Sequence, residues 1–382
     1  MTISRAKTFM TRLSLKYPII QAPMAGVTTP EMVADVCKFG GLGSLPVSHI
    51  DLSSSNGFSE LEKSVQQVQS MISDNSARRN INLNFFCQDV AKEVSDEQKD
   101  NWFRLYERAM GKKADENKIT FDTRSVSFKD YEDTPTFSNL LSFFKEKDSP
   151  KVISFHFGHP SKPSIEELQK LGVSVLLTTT SDQEIRRAIE LKVDGIVCQG
   201  YEAGGHRGNY LETDQRLDEK LSTALLTLRA VRALDSNISE VPFIISAGGI
   251  GSSGDIEYML SLGASAVQLG TVFLATKGSK ASSKFRSLLS EKENLRETVM
   301  IDLVSGKPAR AILTPFIRSL LLASSQENLP DYSYRYNAFK QLKLEDNRTD
   351  FILAGQGYQS INSQLEMQEI LKSLVKGLNR EA

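Results

Sequence analysis

Residues 198–208 read Cys-Gln-Gly-Tyr-Glu-Ala-Gly-Gly-His-Arg-Gly, so four glycines surround His206, with Glu202 and Arg207 nearby. An imidazole of ordinary pKa suits proton transfer at neutral pH, or the holding of an anion beside a bound cofactor. The apolar run 195–198 leads directly into these glycines. That pattern reads as a buried strand followed by a loop whose backbone must come close to something. An ordinary turn carrying an exposed histidine is the plain alternative, and the rest of the chain has to separate the two.

A second glycine cluster, Gly249-Ile-Gly251-Ser-Ser-Gly254, has the spacing of a dinucleotide fingerprint and follows an apolar run. The dinucleotide form also needs an acid near the end of the next strand to hold a ribose. That place holds Gln268, Leu269, Gly270 and Thr271 instead. The two neighbouring strand ends, 247–249 and 268–271, fit better as backbone N–H donors to one phosphate, the usual phosphate position of (β/α)8 barrels. Tight turns with no ligand are the competing reading.

His156 and His159 are three residues apart, but no third ligand lies at a metal-binding spacing and HExxH and paired CxxC patterns are absent. No metal is expected; His156 reads as a strand-end residue near the site and His159 as a turn residue. The absence of a Gly-x-Ser-x-Gly elbow and of a Walker loop argues against acyl-transfer hydrolysis and P-loop chemistry. Tyr332, Tyr336 and Lys340 fall at i, i+4 and i+8, so one helical face offers two phenols and an ammonium. They read either as a partly buried surface face or as a lid over an anionic substrate.

The elements that must position these residues alternate. Strand signals fall at 17–24, 42–47, 81–86, 152–157, 173–178, 195–198, 243–246 and 264–269. Helical spacing separates most of them, and Thr29 with Pro30 marks one helix start. Asn82 and Asn84 share one face of the third strand. With almost no hairpin signals, eight strands joined by helices imply a parallel sheet, best closed as a TIM (β/α)8 barrel, with a doubly wound open sheet as the alternative. Residues 93–150 break the rhythm with helical spacing at 97–110 and 139–147 and a charged stretch at 111–133. Residues 284–382 read as mainly helical and lie beyond the strand count. The expected division is a barrel of 1–92 and 151–283 and a mainly helical second lobe of 93–150 and 284–382.

At 382 residues the chain can hold one barrel with an extra lobe. Net charge is −1 with no basic face, so nucleic-acid binding is not expected. Cys37, Cys87 and Cys198 are widely spaced and odd in number, which fits a reducing compartment. Without an apolar run long enough to span a bilayer, the protein is expected to be soluble and cytoplasmic. An acid-free N-terminus before Glu31 raises a mitochondrial presequence as the alternative, although 17–20 already look like a core strand.

Several stretches together resemble the nitronate monooxygenase (2-nitropropane dioxygenase) family, class I. They are Pro18-Ile-Ile-Gln-Ala-Pro-Met-Ala-Gly26, Asn82-Leu-Asn-Phe-Phe86, Phe155-His-Phe-Gly158, residues 199–208, Ala247-Gly-Gly-Ile250, residues 268–271, Ser305-Gly-Lys-Pro-Ala-Arg310 and Ala354-Gly-Gln356. The resemblance implies noncovalent FMN in a TIM barrel capped by a helical lobe. It implies that Asn84, Gln199, Gly204 and Gly205 line the flavin and that the backbone of Ala22, Pro23 and Met24 approaches its ring. Gly249 with Gln268, Leu269, Gly270 and Thr271 would hold the phosphate and ribityl chain, and His206 matches the catalytic histidine. The chain departs from relatives at Gln88, where histidine is frequent, and in its charged insertion.

The resemblance further implies oxidation of a small anionic nitronate, propionate 3-nitronate among them, by O2 to a carbonyl compound and nitrite. Such a nitronate is a delocalised anion able to give one electron to oxidised flavin. His206 would hydrogen-bond its oxygens and act as base toward a neutral nitroalkane. The alternatives are an NAD(P)H-dependent quinone or enoyl-thioester reductase on the same barrel, and a non-catalytic phosphate-binding barrel. A monomer or homodimer is expected.

Overall fold

A computed structural model describes residues 2–89, 93–122, 126–234, 241–290, 297–325, 327–345, 348–361 and 365–378. The strands are β1 (Ile19–Gln21), β2 (Gly43–Pro46), β3 (Ile81–Phe86), β4 (Val152–His156), β5 (Ser174–Thr179), β6 (Gly195–Gln199), β7 (Gly205–His206), β8 (Phe243–Ala247), β9 (Ala266–Leu269), β10 (Thr298–Ile301) and β11 (Ala309–Ile312). Eight of them form one parallel sheet in the order β1-β9-β8-β6-β5-β4-β3-β2. A parallel bridge between Ile20 and Leu42 joins its two ends, supported by Gln21 N–H to Leu42 O at 2.9 Å. The sheet is therefore a closed barrel, and the open doubly wound alternative is excluded.

The helices are α1 (Thr2–Leu13), α2 (Pro30–Phe39), α3 (Gly57–Ser70), α4 (Asp96–Met110), α5 (Pro135–Lys145), α6 (Lys162–Lys170), α7 (Asp182–Glu190), α8 (Thr223–Ala233), α9 (Ser253–Ser261), α10 (Ser283–Ser290), α11 (Pro315–Ala323), α12 (Tyr334–Glu345) and α13 (Met367–Leu374). Their starts obey local chemistry. Thr29 accepts the N–H of Met32 and Pro30 opens α2, while Gly40, in the left-handed region at φ +99°, stops it. On β3, Ile81, Leu83 and Phe85 pack outward among the helices, so Asn82 and Asn84 point into the barrel.

The barrel floor is apolar. Ile20, Leu42, Val152, Leu176, Val197, Ile245 and Ala266 meet there, and α1 plugs them from below with Phe9 and Leu13. The Phe9 ring meets Phe243 edge-on at 5.2 Å. The acid-free N-terminal stretch is thus part of the core packing.

Residues 93–150 and 284–382 do not pack as one body. Trp102, Leu105 and Tyr106 of α4 join Ile301, Ala309, Phe316 and Phe339 in a separate core. In contrast, Leu140, Phe143 and Phe144 of α5 pack with Phe85 and Phe155 of the barrel, where α5 serves as the helix between β3 and β4. Near the other end, Ile370, Leu371 and Leu374 of α13 pack on Met32 and Val36 of α2, covering the first and last strands. Both helices were expected in the second lobe, and their apolar faces have the barrel as their nearest core. The expected boundaries at 1, 92 and 382 lie outside the described residues. The lobe also contains an unexpected antiparallel sheet, β10-β11-β7, whose third strand is the glycine-rich loop.

Candidate active site

β6 delivers Gln199 to the barrel mouth, and the loop that follows is held by hydrogen bonds to protein. Gln199 donates from Nε2 to the His206 carbonyl at 2.9 Å and accepts the Gly208 N–H on Oε1 at 2.7 Å. Its side-chain amide thus clamps the loop around His206. Arg207 is 2% exposed and anchors the loop from beneath through an ion pair with Asp218 at 2.5 Å. The Arg207 N–H donates to the Pro308 carbonyl, and His206 lies opposite Ala309 of β11. Gly204 has a packing reason: a Cβ there would run into the backbone of Ala354 and Gly355. What the glycine-rich loop comes close to is, in large part, the second lobe.

The His206 ring is enclosed by aromatic rings. Phe157, Tyr332 and Tyr336 meet it edge-on at 5.6, 5.8 and 5.7 Å. Its Nε2 lies 2.9 Å from Ser305 Oγ. Phe157 is buried in the left-handed region at φ +68°, an unfavourable conformation for a bulky residue that places its ring between His206 and Lys307. The Lys307 ammonium lies 4.8 Å from the centre of the Phe157 ring. Lys340 lies over Tyr336 at 4.3 Å. His156, at the end of β4, donates from Nε2 to the His206 carbonyl at 3.2 Å. Thus His156 from strand β4, Tyr332 from the segment leading into α12, and Tyr336 and Lys340 from α12 itself gather around His206. His159 is elsewhere, tied to the Pro160 carbonyl and Arg187.

The electrostatics correct one expectation. Burial lowers the His206 pKa to about 3, helped by the positive charge of His156, Lys307 and Lys340. Burial also lowers His156 to about 4. Neither ring keeps a near-neutral pKa, because desolvation penalises the imidazolium more than any neighbouring acceptor supports it. Both are neutral at pH 7. Lys307 is pushed below its usual value, chiefly by burial, and has no ion-pair partner among the described residues. An ammonium and a neutral base thus share a half-buried aromatic pocket.

The ends of β1, β8 and β9 form the other half of the mouth. The Ala22 N–H donates to the Leu269 carbonyl at 2.7 Å, and a Cβ on Gly270 would touch Ala22 and Met24. Residues 22–24 and 268–271 are therefore neighbours. The N–H groups of Gly249, Gly270 and Thr271 have no acceptor among the described residues. Gly249 lies at φ +70°. By contrast, the amides of Gly251 and Ser252 both donate to Asp255 at 2.9 Å, closing a capping box on α9. The apparent dinucleotide fingerprint is thus half helix cap. Gln21 Oε1, wholly buried at the end of β1, also accepts from no described group. Open donors beside an orphaned acceptor fit a phosphorylated ring system. Asn84 donates to Ser154 Oγ at 2.9 Å within the barrel wall.

Phe157, Ser305 and Lys307 escaped the sequence reading as site residues. Phe157 passes for the last residue of a strand. Ser305 and Lys307 belong to a Ser-Gly-Lys-Pro turn between short apolar runs, a hairpin signal hidden inside a segment read as helical.

Residues 7–377 match the family model described as nitronate monooxygenase. The chain is 45% identical to a putative nitronate monooxygenase of Saccharomyces cerevisiae, over 97% of this chain and 92% of that protein. It is 31% identical to a nitronate monooxygenase of Pseudomonas aeruginosa, over 97% of this chain and 98% of the relative. Its fold is similar to that of a nitroalkane oxidase from Streptomyces ansochromogenes, with a TM-score of 0.77, 25% identity and coverage of 98% and 97% of the two chains. The chain, with its closed barrel and a half-buried imidazole at the mouth, belongs to the nitronate monooxygenase family of flavin-dependent oxidoreductases.

Proposed function

We propose that this enzyme binds FMN and oxidises small alkyl nitronates, propionate 3-nitronate among them, with O2 to a carbonyl compound and nitrite. The observation that carries the proposal is the pairing of a neutral His206 with the half-buried, unpaired ammonium of Lys307 inside one aromatic enclosure. A buried cation without a counter-ion favours an anionic ligand, and a neutral imidazole next to it can donate to that anion or take a proton.

FMN would supply one-electron acceptance and the reaction with oxygen. The amides of Gly249, Gly270 and Thr271 would hold its phosphate, with Gln268 and Leu269 along the ribityl chain. Residues Ala22, Pro23 and Met24 would back the ring, with Gln21 and Asn84 as polar partners. Gln199, Gly204 and Gly205 would act by fixing the loop that carries His206. Toward the substrate, Lys307 and Lys340 would balance the nitronate's charge while Tyr332, Tyr336 and Phe157 keep water out. For a neutral nitroalkane, His206 would remove the α-proton, leaving His156 to brace the loop by its bond to the His206 carbonyl.

Among the described residues no helix is long and apolar enough to cross a membrane. A cytoplasmic monomer or homodimer is the form proposed.

Two measurements test the reading. Anaerobically, the bound flavin should bleach with a nitronate and not with NADH; rapid bleaching by NADH would favour the reductase. The His206→Asn enzyme should lose nitroalkane turnover while keeping much of its nitronate turnover, and equal loss of both would remove the base role.

A further inference from the structure

We infer that Ser305 is a positioning residue that fixes His206 in the Nε2–H tautomer, so that Nδ1 is the nitrogen that takes the substrate proton. The inference rests on the reading of His206 as a base.

Ser305 is fully buried and has one hydroxyl proton. Its Oγ donates to the Lys307 carbonyl at 3.0 Å. A carbonyl can only accept, so while that bond is made the hydroxyl has no proton left to give. The second contact of Oγ, His206 Nε2 at 2.9 Å, must then be one in which the imidazole donates. In a neutral ring with its proton on Nε2, the lone pair belongs to Nδ1, and Nδ1 has no partner among the described residues. The turn that carries Ser305 is itself held on both sides. The Gly306 N–H donates to the Asp302 carbonyl at 2.7 Å, and the Pro308 carbonyl receives the Arg207 N–H at 2.8 Å. The hairpin β10-β11 therefore sets the orientation of the ring through a fixed acceptor, as a carboxylate does in a catalytic triad.

The proton step balances. The α C–H bond of the nitroalkane breaks, its electron pair delocalises onto the nitro group as a nitronate, and a new N–H bond forms at Nδ1. The resulting imidazolium keeps its Nε2–H on Ser305 Oγ, whose own proton stays on the Lys307 carbonyl.

The chain has only four histidines, so imidazole 15N spectra of the flavin-loaded, histidine-labelled enzyme can be assigned by substituting His49, His156 and His159 in turn. The wild-type spectrum should show His206 Nε2 protonated and Nδ1 unprotonated. Ser305→Ala should give a mixture of tautomers and lower kcat for the nitroalkane about tenfold more than kcat for the nitronate. That is less than the roughly 10⁴-fold lost when a triad histidine is held in the wrong tautomer. Ser305→Thr, which keeps the hydroxyl, should restore both readouts. A wild-type proton on Nδ1 overturns the inference even if Ser305→Ala fails to fold. An unchanged tautomer and an unchanged kcat ratio in Ser305→Ala overturn it too. If wild type turns over neither compound, the proposed function fails, while the spectrum still decides the tautomer.

Discussion

A half-buried histidine that stays neutral makes the fold sensitive to acid. In the unfolded chain His206 and His156 titrate at the ordinary value of 6.5, but in the folded protein at about 3 and about 4. The unfolded state therefore binds protons first as pH falls. Stability should be fully present above about pH 6.5 and decline through pH 4, an effect seen as a falling midpoint in urea titrations. His156→Gln should flatten that decline; an unaltered slope would mean the ring is hydrated in solution. Lys307 obeys a related logic. Its charge lowers the His206 pKa, so Lys307→Met should move the acid limb of the nitroalkane rate profile to higher pH. The same change should raise KM for the anionic substrate about tenfold or more while leaving Tm unchanged or higher, because an unpaired, half-buried charge is lost. A fall in Tm with KM intact would make Lys307 structural. His206 was legible in the sequence because glycines isolate it, but its low pKa was not. Desolvation is set by Phe157, Tyr332 and Tyr336, which lie 49 to 130 positions away in sequence.

Among elements, those with a strong local period were legible and those that depend on distant partners were not. All eight barrel strands could be placed from apolar runs, and α2 from Thr29, Pro30 and Gly40. β7 has only two residues and becomes a strand by pairing with β11, so nothing local announces it. Likewise, α5 and α4 are both amphipathic, and only tertiary packing assigns one to the barrel and the other to the lobe. The strand ends carry a direct test of the cofactor assignment. In a dinucleotide fingerprint the third glycine is needed for close packing of the helix on the strand. A Cβ on Gly254 would meet nothing nearer than 3.8 Å, whereas Gly249 is at φ +70° with Glu202 beside it. Gly249→Ala should weaken FMN binding at least about tenfold, given the roughly 1–3 kcal/mol attached to such backbone strain. Gly254→Ala should leave it unchanged in a fluorescence titration, and the reverse order would restore the dinucleotide reading. At the barrel floor, Phe9→Ala should cost about 3–5 kcal/mol in denaturant unfolding, the penalty for emptying a packed aromatic site. A loss under about 1 kcal/mol would mean that α1 docks weakly.

At the scale of the whole molecule, barrel and lobe share the site and are stitched together around it. The Gly355 N–H donates to Thr271 Oγ1 at 3.0 Å, and the Gln356 N–H to the Glu202 carbonyl at 3.0 Å. Together with the pairing of β7 and β11, these bonds connect the lobe to the ends of β6 and β9, beside the amides of Gly270 and Thr271 proposed to hold the phosphate. A ligand held by Gly249, Gly270 and Thr271 should therefore tighten the lobe as well as the barrel, since Thr271 belongs to both contacts. Flavin-stripped protein given FMN at a hundredfold excess over Kd should gain about 2.7 kcal/mol from binding linkage, rising with the logarithm of FMN concentration. Hydrogen exchange should then slow in the amides of β7, β11 and residues 354–356 along with those of 268–271. Slowing confined to the barrel would mean that the lobe closes independently of the cofactor, with substrate alone bringing Tyr336 and Lys340 to His206.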